Sequence, residues 1–390
     1  MDSMSSMEWQ GRLLCCTHND PSISIEPPKE IANKEGPKVK KRTWIILALI
    51  VVLMVVGIIV VPTMAKFTDT ETSTNNVVQS NWYNFSWLYR EPITINNTGS
   101  ALTNYQIQLT LNLSTPISSS HMLANGNDIR FTSSDGQTLL NYWIESISTP
   151  SAAVIWVNIP SIPVGSPAVT IYMYYGNSGA AVGSSGDNTF IFFDDFETYP
   201  FTKWTASTGG NTGTMTQISS SPTPDHGSYC AKITRTGGTF TETATFTSSP
   251  TVAIIEYSAA AGQTNQTWQM QVLSSTSAVG PSLEFTTGAK LRYNNSLQFS
   301  TDYVYTATTW YHFKEDNVNA TTGNYNYYLY INGSTVRPAA TAYTPFSTNI
   351  GNINKIMFSC NANSSMYVDF IKVRVYAATV PTLGTVGAEQ

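Results

Sequence analysis

Tyr105-Gln106-Ile107-Gln108-Leu109-Thr110-Leu111-Asn112 sets apolar and polar side chains in strict alternation over eight residues. A period of two puts every apolar side chain on one face of an extended strand, so the stretch predicts a β-strand with one dry and one wet face. Such strands belong to antiparallel sheets that pack on a single side. The same signature recurs in both directions from it. Arg90 to Asn96 reads as a strand in which Ile93 and Ile95 alternate with polar neighbours, and Ala153 to Ile159 and Val169 to Tyr175 are two more. From Trp82 onward helical periodicity is almost absent, and Gly, Asn, Ser and Pro punctuate short runs of Val, Ile, Thr, Tyr and Phe, the pattern of sandwiches and barrels.

Further along, Tyr325, Tyr327, Leu329 and Ile331 alternate up to Asn332-Gly333, a pair able to supply the two positive-φ residues of a type I′ hairpin. A last strand, Met366 to Tyr376, places Ile371, Val373 and Val375 on one face and Lys372 and Arg374 on the other. Phe190 to Phe196 reads as an opening strand. The expected fold is all-β: two tandem antiparallel β-sandwiches, residues 82–185 and 186–380, ahead of a tail at 381–390 and behind one N-terminal transmembrane helix.

Composition narrows the function classes. The chain has 390 residues, with 20 Lys and Arg against 25 Asp and Glu, a net charge of −5. Charged residues make up 12%, where a soluble domain carries roughly 25%. This excludes a charged, helix-rich cytosolic enzyme, and the lack of any basic stripe excludes a nucleic-acid partner. A 42% hydrophobic share excludes general disorder.

Trp44 to Val61 is an uncharged apolar run of 18 residues, about 27 Å as a helix, close to the thickness of a bilayer core. Lys38, Lys40, Lys41 and Arg42 precede it and only Lys66 follows closely, so the positive-inside rule sets the N-terminus in the cytoplasm and the β-rich part outside. Residues 1–43 are expected as a disordered tail, 44–62 as the helix and 63–81 as a Thr/Asn-rich stalk. Thr63-Met64-Ala65 leaves open the alternative of a cleaved signal segment. In the tail, Cys15, Cys16 and His18 are too few for a zinc site.

Eight N-x-S/T sequons, at Asn84, Asn96, Asn112, Asn265, Asn294, Asn319, Asn332 and Asn363, all fall on the expected outer side and are candidate glycosylation sites. Cys230 and Cys360 are the only cysteines there; an oxidising compartment allows a bridge between them, and two buried thiols are the alternative.

Two segments resemble known families. Trp87-Leu88-Tyr89-Arg90-Glu91-Pro92-Ile93-Thr94-Ile95, Asn127-Asp128-Ile129-Arg130-Phe131, Leu139 to Glu145, Ile155-Trp156-Val157 and Tyr172-Met173-Tyr174-Tyr175-Gly176-Asn177 follow in the order of a prokaryotic surface domain of unknown function. That resemblance implies a cell-surface setting, with archaea as the expected group, and no chemistry. Residues from about 190 to 380 resemble a laminin-G or concanavalin-like jelly roll through Trp310-Tyr311-His312-Phe313 and Tyr327-Tyr328-Leu329-Tyr330-Ile331-Asn332-Gly333. The resemblance implies first and last strands lying side by side, a carbohydrate ligand, and a structural calcium held by carboxylates of the opening and last strands.

The expected calcium ligands are Asp195, Glu197 and Asp369, hard oxygen donors suited to that ion. Trp204, Trp268, Tyr293 and Tyr303 are the candidate sugar-stacking aromatics, with Trp310 expected in the core. Asp194-Asp195-Phe196-Glu197 offers only two acids on one strand face, which departs from the three-acid strand of hydrolases on this fold. The exterior histidines, His121, His226 and His312, stand far apart beside no nucleophile signature. The expected function is a membrane-anchored, non-catalytic surface protein that binds glycan or matrix. A structural or fibre-forming subunit and a glycoside hydrolase are the alternatives.

Overall fold

The computed structural model describes residues 82–390 apart from 209, 211, 295–298, 325, 332–333, 338–348 and 361–362; side chains at 293–302 and 325–348 also lie outside the description. The Trp44–Val61 run and the Asn332-Gly333 turn therefore lie outside the described residues. Among those described, no helix is long and apolar enough to cross a membrane.

The first sandwich is formed by β1 (Tyr89–Asn97), β2 (Leu102–Leu111), β3 (Arg130–Thr132), β4 (Leu139–Leu140), β5 (Tyr142–Ser146), β6 (Ala153–Ile162) and β7 (Gly165–Tyr175). One sheet has β1, β7, β3 and β4 in order, and the other has β2, β6 and β5. The alternation of β2 is realised: Tyr105, Ile107, Leu109 and Leu111 enter the core with Ile93, Ile95, Ile155, Val157 and Ile171.

The jelly roll follows with β8 (Phe192–Asp194), β9 (Trp204–Ala206), β10 (Thr212–Ile218), β11 (Cys230–Gly237), β12 (Phe240–Thr245), β13 (Val252–Ala261), β14 (Trp268–Leu273), β15 (Val279–Phe285), β16 (Lys290–Asn294), β17 (Phe299–Val304), β18 (Tyr311–Asn319), β19 (Asn326–Ile331), β20 (Ser334–Arg337), β21 (Lys355–Cys360) and β22 (Ser365–Val375). An eight-stranded back sheet runs β10-β11-β22-β13-β18-β19-β20, with β8 beside β22. A seven-stranded front sheet runs β17-β16-β15-β14-β21-β12-β9. Every pairing is antiparallel, and the register Ile371↔Asp194 sets the opening strand against the last one.

The chain then returns to its start. Residues 381–390, expected as a tail, carry β23 (Thr382–Val386), which adds to β1 through Ile93↔Val386 and Ile95↔Leu383. Arg90 and Gln390 exchange backbone hydrogen bonds at 2.9 and 3.3 Å. The guanidinium of Arg90 lies 4.7 Å from the ring centre of Trp82 and 4.4 Å from that of Tyr172, and its Nε donates to Gln390 Oε1. An edge strand taken from 290 residues later is a non-local pairing that no local pattern announces, which is why the segment read as a tail.

The outward face of β2-β6-β5 packs on the outward face of the back sheet. Trp143, Trp156, Phe190 and Phe193 form a separate aromatic cluster with Phe370 against it. Gln106 Oε1 accepts the Val375 N–H at 2.9 Å. Lys372 and Arg374, read from sequence on a polar face, are thus buried rather than wet.

Candidate functional site

The outward face of the front sheet is the polar one not taken up by that packing. Trp268, Met270 and Val272 of β14 point into the core, as do Leu283 and Phe285 of β15, Leu291 of β16, and Ile356 and Phe358 of β21. Alternation sends the intervening residues outward. Cross-strand register aligns them in a row, Thr241↔Ser359, Ser359↔Gln269, Gln269↔Glu284 and Glu284↔Arg292. One step along, Thr243, Met357, Gln271 and Ser282 form a second row.

These groups fix one another. Burial raises the Glu284 carboxyl above its usual range, while the Arg292 charge and a hydrogen bond from Gln269 act to lower it. Ser359, Ser282 and Glu284 are buried in the floor, and Thr241, Gln269, Gln271 and Arg292 are half-buried. The floor is therefore a partly dried strip of amide, hydroxyl, carboxylate and guanidinium groups held in one plane, offering donors and acceptors together.

The expected calcium ligands do not converge. Among the described residues no group of three or more His, Cys, Asp or Glu side chains is placed to hold a metal. β8 ends at Asp194 and Phe196 takes φ +57°, so Asp195 and Glu197 share no strand face. One oxygen of each, and one of Asp369, accepts from backbone N–H groups, while Asp369 Oδ1 is buried without a hydrogen-bond partner among the described residues. Asp369 Oδ2 accepts from Asp225 and His226, both at 2.9 Å, and Glu197 Oε1 accepts from Ser228 at 2.7 Å and Tyr229 at 2.9 Å. Asp195 Oδ1 accepts from the N–H of Glu197. Gly227 is required there, because at φ +67° any Cβ would collide with the Glu197 carboxylate. Burial and the neighbouring Asp225 push Asp369 up to about 8, against the lowering effect of the His226 N–H. The 225–229 loop thus meets one oxygen each of Asp369 and Glu197.

The expected stacking aromatics are also relocated. Trp268 is fully buried, since Gln269 and Gln271 take the outward positions and leave the indole the inward one. Trp204 is buried and donates its indole N–H to Asp194 Oδ2 at 2.8 Å. Tyr303 is half-buried against the core, and the Tyr293 side chain lies outside the described residues. Trp310, expected in the core, is half-buried and donates to the Thr223 carbonyl at 2.8 Å.

The distant histidines do find partners. Ser258, Asp369 and His312 are register neighbours on β13, β22 and β18. His312 contacts Ser258 Oγ through Nδ1 at 3.0 Å and Asp225 Oδ1 through Nε2 at 3.3 Å, while Ser258 donates to Asp225 Oδ2 at 2.7 Å. Here the serine is fully buried and donates its hydrogen bond to the aspartate rather than to the imidazole, so the triangle ties β13 and β18 to the loop that carries Asp225. His226 stacks on Phe370 at 4.9 Å and reaches the Glu145 carbonyl of the first sandwich. His121 pairs with Glu389 at 2.9 Å and stacks on Tyr89.

Cys230 and Cys360 are buried and not bridged to each other. Ala231 and Ile233 face the core, so alternation turns Cys230 to the opposite side of β11, whereas Cys360 lies within the core on the other sheet. The two sulfurs point to different faces, which prevents a bridge. Asn84, Asn112, Asn265 and Asn363 are exposed and Asn96 and Asn319 half-buried. The side chain of Asn294, and Asn332, lie outside the described residues.

Residues 125–207 match a family described as a domain of unknown function (DUF2341). The match runs past the end of the first sandwich into β8 and β9. A comparison with curated proteins finds no match. Among solved structures, a sialidase aligns at 13% identity and TM-score 0.38, over 58% of this chain and 21% of its own. The T. cruzi calreticulin globular domain aligns at 10% identity and TM-score 0.34, over 47% of this chain and 88% of its own. Lectin II from Ulex europaeus aligns at 8% and 0.33, over 47% and 98%. What the site can do has to come from its own side chains.

Proposed function

We propose that this chain is a membrane-anchored surface protein whose jelly roll binds glycans through the front sheet without cleaving them. The observation that carries this reading is the row Thr241–Ser359–Gln269–Glu284–Arg292. Sugar hydroxyls donate and accept at once, and they suit a fixed strip of amide, carboxylate and guanidinium groups. Hydrolysis would need two carboxyl groups across the scissile bond, about 5–5.5 Å apart for retention. Glu284 is the one carboxylate among the described side chains of this face; Glu242, on the same sheet, points inward and is buried. The anchor in this reading is Trp44–Val61, with the N-terminus in the cytoplasm.

A glycan array probed with the full chain tests the reading. Glu284→Gln and Gln269→Ala should each lower affinity about tenfold or more, the effect of a lost hydrogen bond to a charged or fixed group, with thermal unfolding little changed. A blank array, or binding indifferent to both substitutions, would contradict it. A structural subunit is the second reading, favoured by β2, a ten-residue strand paired only with β6 in its sheet.

A further inference from the structure

At one end of the jelly roll lies a shallow basin of about 390 Å³ lined by Lys232, Thr234, Arg235, Thr236, Gln263, Asn363, Ser364 and Ser365. It contains two cations and no carboxylate, in a chain whose net charge is −5. Neither basin cation is ion-paired with a described residue, whereas Lys203, Lys314, Lys372 and Arg374 are. Alternation on β11 explains Lys232: Ala231 and Ile233 turn inward, so its side chain turns out, and Nζ rests 5.9 Å from the Tyr367 ring centre. Arg235 is held in place. Its Nε donates to the Gly238 carbonyl and its Nη1 to Asn363 Oδ1 at 3.3 Å, while Gln263 Nε2 donates to the Asn363 carbonyl at 3.1 Å. Two of the five guanidinium donors are thereby spent on orientation, and the rest are free for a ligand.

Chain connection joins the basin to the polar row of the front sheet. Thr236 is five residues from Thr241, Asn363 four from Ser359, and Gln263 six from Gln269. Even fully extended, six residues span only about 20 Å. Three crossings this short lead from the basin, on the outer side of the back sheet, over the end of the sandwich to the front sheet.

We infer that the basin binds the anionic group of an acidic polysaccharide, a carboxylate or a sulfate ester. The inference rests on the glycan-binding reading and names its ligand class. An oriented guanidinium forks onto two oxygens of a carboxylate or sulfate, and the nearby ammonium adds charge without fixing geometry. The surrounding threonine and serine hydroxyls and the Gln263 and Asn363 amides meet neutral parts of the sugar.

The test uses the full chain and three soluble probes: polygalacturonate, dextran sulfate and neutral dextran, each measured by affinity electrophoresis at about 50 and about 300 mM NaCl. The expected result is at least about tenfold tighter binding of an acidic probe than of dextran, weakened several-fold by salt. The Lys232→Gln/Arg235→Gln pair should erase that preference while leaving thermal unfolding in place. Retention of polygalacturonate alone identifies the carboxylate, and of dextran sulfate alone the sulfate ester. Equal binding of all three, or a preference that survives the double substitution, overturns the inference while the front-sheet reading stands. No binding to any probe overturns it, and the array decides the parent reading separately. Loss in Glu284→Gln with none in the double variant also counts against the basin.

Discussion

The two outward faces of the jelly roll are built from the same alternation and meet opposite fates. On the back sheet, β13 and β22 send out Glu256, Lys372 and Arg374, and the first sandwich covers them. Arg374 Nε pairs with Glu256 at 3.0 Å, Lys372 approaches Glu145 at 3.5 Å and Glu256 at 3.7 Å, and both cations lie over the Trp156 ring. On the front sheet, β14 to β16 send out Gln269, Glu284 and Arg292, and among the described residues the first sandwich does not cover them. The comparison teaches that a polar strand face is an accounting of what the face must satisfy, and the partner that satisfies it is set elsewhere in the chain. Buried charge is retained where a second domain completes it, and amide-rich floors remain where solvent or a ligand must do so.

The largest expected effect comes from breaking the covered face. Arg374→Met takes from Glu256 its guanidinium partner and leaves only Lys372 and the cross-strand Lys314, and should lower stability by about 2–3 kcal/mol in chemical denaturation. A loss under about 0.5 kcal/mol would show that the first sandwich does not seal this face as described.

A smaller effect separates the faces by pH. Burial alone would raise Glu256, but Arg374 and Lys372 hold it down to about 2. Its contribution is present above its ordinary value of 4.5 and is lost as pH falls toward 2. Glu284 is shifted the other way, so its share of stability is greatest below 4.5 and is lost as pH rises. Burial also raises Glu242 to about 7 and Glu315 to about 8, and they lose stability in the same direction. Stability measured from pH 2 to 8 should therefore rise and then decline, and Glu284→Gln should flatten part of the decline and leave the acid limb unchanged. A variant that alters only the acid limb would reverse the assignment.

Much of this architecture was legible because it is local. The alternations in β2 and β22 predict their inward faces correctly, and the resemblance to a jelly roll implies the pairing of β8 with β22 that the register shows. What failed lies in strand facing, cross-strand register and one positive-φ residue. Trp268 sits among Gln266, Thr267 and Gln269, and its polar neighbours suggested exposure, but a strand gives adjacent residues opposite faces. The front-sheet row was invisible for the same reason: Gln269, Glu284 and Arg292 look unrelated until strand register aligns them. Residues 195–197 were read as strand because nothing in the sequence marks Phe196 as a positive-φ position. Nor does the sequence announce that Asp369 and Glu197 accept from a loop about 30 to 140 residues away.

The most direct measurement is amide hydrogen exchange on the full chain with and without a glycan that it retains on an array. Protection should gather on Gln269–Leu273, Ser282–Thr286 and the Ser359 end of β21, with β13, β18 and β22 unchanged. Protection confined to the back-sheet strands, or to the first sandwich, would contradict the assignment of the front sheet as the binding face.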